Sequence, residues 1–291
     1  MPILPVLLIL ISCFMHAGWN LLARRQRREL AFFRHLVILS VPIGAAAIGV
    51  GLFLPHSLPL KAVACVVASS VICGFYYWFL GMAYKSSDFT IVYPVARALP
   101  VLMVAGLDIL RGRHPSGMGW LGLALVVGGC MLAPQASYAG FSLRRYHAVD
   151  ILYMGLTALT IVGFTMFDKI AAEAVRRGPA SAAIYCGLFH IISCVAYFAI
   201  YTAFEKDKSG AREVGWKWPA VGAVLAFFGY LLVLWAYQLA PQTSYLLAFR
   251  QFSIVLGVVA AFWWYGERGL AVRVPSTLAI VAGLVLLVVA G

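Results

Sequence analysis

FTIVYPVARALPVLMVAGL, residues 89–107, and TSYLLAFRQFSIVLGVVAAF, residues 243–262, each hold one arginine inside an otherwise apolar run: Arg97 and Arg250. A guanidinium placed at the centre of a bilayer costs between roughly 3 and well over 10 kcal/mol, according to the reference state. Such a residue faces a polar cavity or a partner, and by default it marks a functional site. The two arginines occupy equivalent places in the two halves of the chain. That equivalence implies an internal repeat with a binding site between the repeats.

Composition fixes the solvent. The 291 residues are 63% hydrophobic and 11% charged, with a mean hydropathy of +0.94. Soluble domains are about half apolar and about a quarter charged, so this chain expects lipid around it. Its apolar segments are long and do not alternate, which reads as helices and not barrel strands. The net charge of +12 sits mainly in short connections, where basic residues set topology; no nucleic-acid partner is implied. Cys13, Cys65, Cys73, Cys130, Cys186 and Cys194 all fall inside apolar segments without metal-ligand spacing, and read as small lipid- or core-facing residues. No metal and no cofactor is expected. The N-terminus is apolar from Pro2 onward with no basic region before it, and reads as a retained first span.

Crossing the hydrocarbon takes about 20 residues. On that measure the chain predicts an all-α membrane protein of about ten transmembrane helices. The spans fall near 3–23, 33–53, 61–83, 89–110, 117–134, 149–171, 181–204, 217–238, 243–265 and 272–290. Sliding the chain by about 153 residues lays FYYWFLGMAYKSSDFTIVYPVAR (75–97) over FGYLLVLWAYQLAPQTSYLLAFR (228–250). Phe75 meets Phe228, Tyr77 meets Tyr230, Tyr84 meets Tyr237 and Arg97 meets Arg250. An offset near 148 lays Trp19-Asn20 over Phe167-Asp168. Five spans per half is an odd number, so the halves, 1–134 and 149–291, must lie in opposite orientations. Two inverted five-helix repeats with a site near the midplane is the plan of secondary transporters.

HAGWNLLARR (16–25), GMAYKSSDFTIVYPVARALPVL (81–102) and GERGLAVRVPSTLAIVAGLVLL (266–287) resemble the drug/metabolite transporter superfamily, in its EamA-type ten-helix branch. The likeness covers essentially the whole chain. It implies a ten-helix bundle whose central cavity is lined by spans one, three, four, six, eight and nine. Members of that superfamily export amino acids and metabolites, carry nucleotide sugars or translocate plastid phosphates. In the plastid phosphate translocators, basic residues on the fourth and ninth helices hold the substrate phosphate. The resemblance therefore implies that role for Arg97 and Arg250. It also implies both termini inside the cell. The loops after odd-numbered spans hold about fourteen Lys and Arg against about six on the other side, and the positive-inside rule places the termini outside. The two indications disagree.

Around Arg97 stand Pro94 and Pro100, and proline frees helix carbonyls that need other partners in a membrane. The sequence therefore predicts a broken helix there. Two guanidinium forks suit a carboxylate or phosphate. Tyr93, one turn before Arg97, and Gln251, beside Arg250, would add hydrogen bonds. His16, Trp19 and Asn20 at the end of span one are further candidates, with His16 and Asn20 on one helix face. Tyr84 and Tyr237 suit either the site or the interfacial aromatic belt. Asp168 either neutralises an arginine or exchanges protons against substrate, while its neighbour Lys169 reaches the membrane edge.

The expectation is a secondary transporter of a small organic anion or zwitterion: an amino acid, a carboxylate, or a phosphorylated or phosphonate metabolite. No G-x-x-x-x-G-K-[ST] stretch is present, so the drive would come from a proton or an exchange substrate and not from ATP. A proton-coupled multidrug cation exporter centred on Asp168 is the alternative. Small four-helix relatives rely on a carboxylate in their first helix, whereas span one here offers only His16 and Asn20. A membrane enzyme is a remote third reading, with no H-E-x-x-H helix or G-x-S-x-G elbow to support it. The expected setting is the bacterial inner membrane, as a monomer or homodimer.

Overall fold

The computed structural model describes residues 2–26, 29–86, 89–133, 135, 148–204, 215–265 and 269–290. Its elements are α1 (Ile3–Gln26), α2 (Glu29–Leu52), α3 (Leu60–Ser86), α4 (Phe89–Leu110), α5 (Gly117–Leu132) and α6 (Ala148–Ala174). They continue with α7 (Pro179–Phe204), α8 (Lys217–Tyr237), α9 (Thr243–Arg250), α10 (Phe252–Tyr265) and α11 (Leu270–Ala290). Helices α9 and α10 together fill the ninth expected span, so the ten spans read from the sequence all appear. Among the described residues, eight stretches are long and apolar enough to cross a membrane. The chain is an all-helical, multi-pass membrane protein.

The helices are apolar on their outer faces as well as their inner ones, because lipid replaces water. On α1, Ile3, Leu7, Ile11 and Phe14 are exposed at three- and four-residue spacing, while Ile9 and Cys13 on the opposite side are buried. The same holds for Leu278, Val285 and Val289 of α11. A surface of this kind in water would drive aggregation; in a bilayer it is the lipid contact.

Packing pairs the helices across the chain. α1 lies along α8 and α3 along α6, while α2 packs on α7 and α5 on α11. Exchanging the first five helices for their counterparts in the second half maps this set of pairs onto itself. Two of the contacts are glycine crossings. A Cβ on Gly187 would sit 2.5 Å from the Gly44 carbonyl oxygen, and one on Gly283 would sit 2.6 Å from that of Gly122. Backbones approach this closely only where both helices lack side chains, the usual device for membrane helices.

One expectation about helix breaks is corrected. α4 runs unbroken through Pro94 and Pro100, whereas the ninth span breaks at Gln251, where the sequence has neither Pro nor Gly. The amides of Gln251 and Ile254 bond three residues back, to Ala248 and Gln251, a tightened 3₁₀ geometry. The Arg250 carbonyl is taken up by the Ser253 hydroxyl at 2.9 Å and faces the Cys13 thiol of α1 at 3.6 Å. Side chains on two helices thus satisfy a carbonyl that the broken ladder frees.

Candidate functional site

The break places Arg250 in the last turn of α9, where the negative end of the helix dipole suits a cation. Its guanidinium lies over the Tyr230 ring of α8, 5.8 Å from the centroid. Among the described residues no carboxylate forms an ion pair with it. Arg97 approaches the same space from α4. Its Nη2 donates to Nε2 of His16 and lies 3.4 Å from the Ser253 hydroxyl. A guanidinium only donates, so His16 Nε2 accepts and that ring carries its proton on Nδ1.

Both arginines line one cavity of about 70 Å³ in the middle of the bundle, several times the roughly 10–15 Å³ that one water needs. Ser12, His16 and Trp19 of α1 face it, with Cys73, Tyr76 and Tyr77 of α3 and Gly229 and Tyr230 of α8. Ile161 and Phe164 come from α6, Leu247 from α9, and Gln251 from the break. The expected lining spans are all present. Phe189 and His190 add span seven, which the sequence reading left out.

Gln251 is 1% exposed, and its Nε2 donates to the Leu247 carbonyl at 3.1 Å. Among the described residues its Oε1 has no partner. An unmade hydrogen bond on a buried polar group costs about 1–3 kcal/mol. Asn20 lies beside the main cavity, in a recess shared with His16, Tyr76 and Arg97. Its Nδ2 donates to the His16 carbonyl at 2.6 Å. Tyr237 is fully buried but stands outside the cavity lining. The side chains of Tyr84 and Tyr93 lie outside the described residues.

Of the two readings of Asp168, an ion pair with an arginine is not formed among the described residues. It is fully buried, and hydroxyls fill its carboxylate: Ser69 at 2.5 Å and Tyr185 at 2.7 Å on Oδ1, and Tyr230 on Oδ2. A carboxylate removed from water needs such donors to offset its lost hydration. It does not line the cavity, but Tyr230 connects it to Arg250, with the ring under the guanidinium and the hydroxyl on the carboxylate.

Lys169 does reach the end of the bundle. Its Nζ donates to the Tyr237 and Ala240 carbonyls at 2.7 and 2.5 Å, and lies 3.2 Å from Glu173. Glu173 also pairs with Arg111 at 2.5 Å and Arg113 at 2.6 Å. Arg113 reaches the Pro241 carbonyl at 2.7 Å, and Asp108 accepts the Ser244 amide at 2.8 Å. This cluster ties the C-terminal ends of α4, α6 and α8 to the start of α9 on one face of the bundle.

Just under half of the chain is similar to a known family. Residues 3–133 match the model of the EamA-like transporter family. That part of the chain is EamA-like. A solved crystal structure of a protein matches with a TM-score of 0.73, covering 98% of this chain and 97% of that one. At 15% identity that likeness shows the shared fold alone. No curated protein matches the chain. The EamA-like family is a family of membrane transporters, as the resemblance in the sequence implied.

Missed by the sequence reading were Tyr76, Tyr230, His190, Ser12 and Phe164. Tyr230 stood in the repeat alignment opposite Tyr77, and both line the cavity. Cys73 and Tyr76 stand opposite Ala226 and Gly229 at the same offset, and these four also line it. Equivalence of position, more than identity of residue, was the available signal.

Proposed function

We propose that this EamA-like chain is a secondary transporter of a small organic anion or zwitterion, held by Arg97 and Arg250 between two inverted halves. The carrying observation is that two guanidinium groups from equivalent helices line one central cavity, and among the described residues no carboxylate pairs with Arg250. In a low-dielectric cavity such donors favour an acid group, and a planar fork matches carboxylate or phosphate oxygens. The self-mapping set of helix pairs supports the five-helix units 1–134 and 149–291. The Glu173 cluster on one face supports alternating access: opening that face would require its contacts with Arg111, Arg113 and Lys169 to part.

A second reading has one observation in its favour. Asp168 is linked to Arg250 through Tyr230, which suits a proton exchanged against the substrate. The cation-exporter version of that reading is weaker, since the carboxylate is already occupied by three hydroxyls and lies outside the cavity lining.

Thermal unfolding of the purified protein across carboxylates, phosphonates, phosphorylated compounds, amino acids and lipophilic cations tests the proposal. A ligand at 100 times its dissociation constant adds about 2.7 kcal/mol of stability. Stabilisation by acids or amino acids that disappears in Arg97→Ala and Arg250→Ala supports it. Stabilisation by cations alone moves the mechanism to Asp168.

A further inference from the structure

The two guanidinium groups account for one end of a ligand; the remainder of the cavity wall has a different chemistry. Gln251, 1% exposed, is one of the residues lining the cavity, and among the described residues its Oε1 is unpartnered. The amide orientation is fixed, because its Nε2 must face the Leu247 carbonyl, which can only accept. His190 repeats the pattern. Its Nδ1 lies 2.9 Å from the Cys186 carbonyl, so Nδ1 carries the proton and Nε2 is the acceptor of the neutral ring. Around these acceptors stand the rings of Phe164, Phe189 and Tyr230, and aromatic faces attract cations. Among the described residues, no Asp or Glu lines the cavity.

Resting on the two-arginine reading, we propose that the substrate is a zwitterion, with an acid group on Arg97 and Arg250 and an ammonium on Gln251 Oε1. Gln251 is then the residue that separates amino acids or aminophosphonates from plain acids. A plain anion satisfies the guanidinium groups but leaves Oε1 without a donor, and the partial negative charge of that oxygen repels it. A lone cation meets two guanidinium groups with no carboxylate on the wall to hold it. A zwitterion completes both ends.

The test compares matched pairs by thermal stabilisation and calorimetry on the full chain: alanine against propionate, phenylalanine against phenylpropionate, and aminoethylphosphonate against ethylphosphonate. The amino member of at least one pair should bind at least tenfold more tightly than its deaminated partner. Gln251→Leu should erase that preference, so that the two members of each pair bind alike, since one hydrogen bond to a charged group is at stake. Gln251→Glu, which keeps the shape, should retain the zwitterion and reject the plain acid. Equal binding of both members of each pair in the wild type overturns the inference and leaves the two-arginine site standing. Binding of neither member of any pair overturns that site, and the inference with it. Because the first comparison uses wild-type protein, a misfolded Gln251→Leu does not rescue the proposal.

Discussion

Arg97 and Arg250 stand at equivalent places in two halves of one bundle, yet they are held differently. Arg97 leaves an unbroken helix and donates to His16 and the Ser253 hydroxyl. Arg250 sits at a helix break, over an aromatic ring whose hydroxyl is committed to Asp168. The difference follows from the residues opposite each arginine. The 148-residue offset that pairs Trp19 with Phe167 places Phe164 opposite His16, so the place that holds an imidazole acceptor for Arg97 holds a phenyl ring in the second half. Symmetry of position thus carries an asymmetry of contacts: one guanidinium is held by side-chain hydrogen bonds, and the other lies over an aromatic ring.

Four substitutions sharpen or break this comparison, all read as thermal or denaturant unfolding of ligand-free protein in detergent. The largest effect should come from Asp168→Ala, on the Arg250 side. It strands the Ser69, Tyr185 and Tyr230 hydroxyls in the interior and should cost roughly 3–5 kcal/mol, the range for breaking a buried charged cluster. A loss under about 1 kcal/mol would mean that those hydroxyls have other partners. Arg97→Ala comes next, at about 1–3 kcal/mol, because the half-buried His16 Nε2 loses its donor. Tyr230→Phe keeps the ring beneath Arg250 and removes one donor to Asp168, for a loss of about 1–2 kcal/mol. Arg250→Ala should be the mildest, within about 1 kcal/mol, since a cation–π contact is what it gives up. If Arg250→Ala destabilises the empty protein more than Arg97→Ala does, this ordering of the two arginines' contacts is reversed.

Much of this was legible in the sequence. The spans follow from length and apolarity alone, because a helix that crosses about 30 Å of hydrocarbon leaves a run of about 20 apolar residues. The central pair of arginines was legible because a guanidinium inside an apolar span is costly unless it faces a polar cavity or a partner, and both line one cavity. The break in the ninth span was not. Prolines at 94 and 100 pointed to α4, while the actual break at Gln251 depends on Cys13 and Ser253, partners for the Arg250 carbonyl that only folding brings into reach. His190 was equally hidden. A single histidine on an apolar helix looks the same whether it faces lipid, core or cavity. Asp168 was rightly singled out as a buried charge, but its partners are hydroxyls on α3, α7 and α8, and hydroxyl residues are too common in membrane helices to be matched by sequence.

The central claim is that both guanidinium groups bind one acid group of the substrate. The most direct measurement is a calorimetric titration of the most strongly stabilising acid or amino acid into wild type, Arg97→Ala and Arg250→Ala. The account predicts at least a 100-fold loss of affinity in each variant, about 2.7 kcal/mol. Binding in either variant at wild-type affinity would contradict a shared two-arginine site.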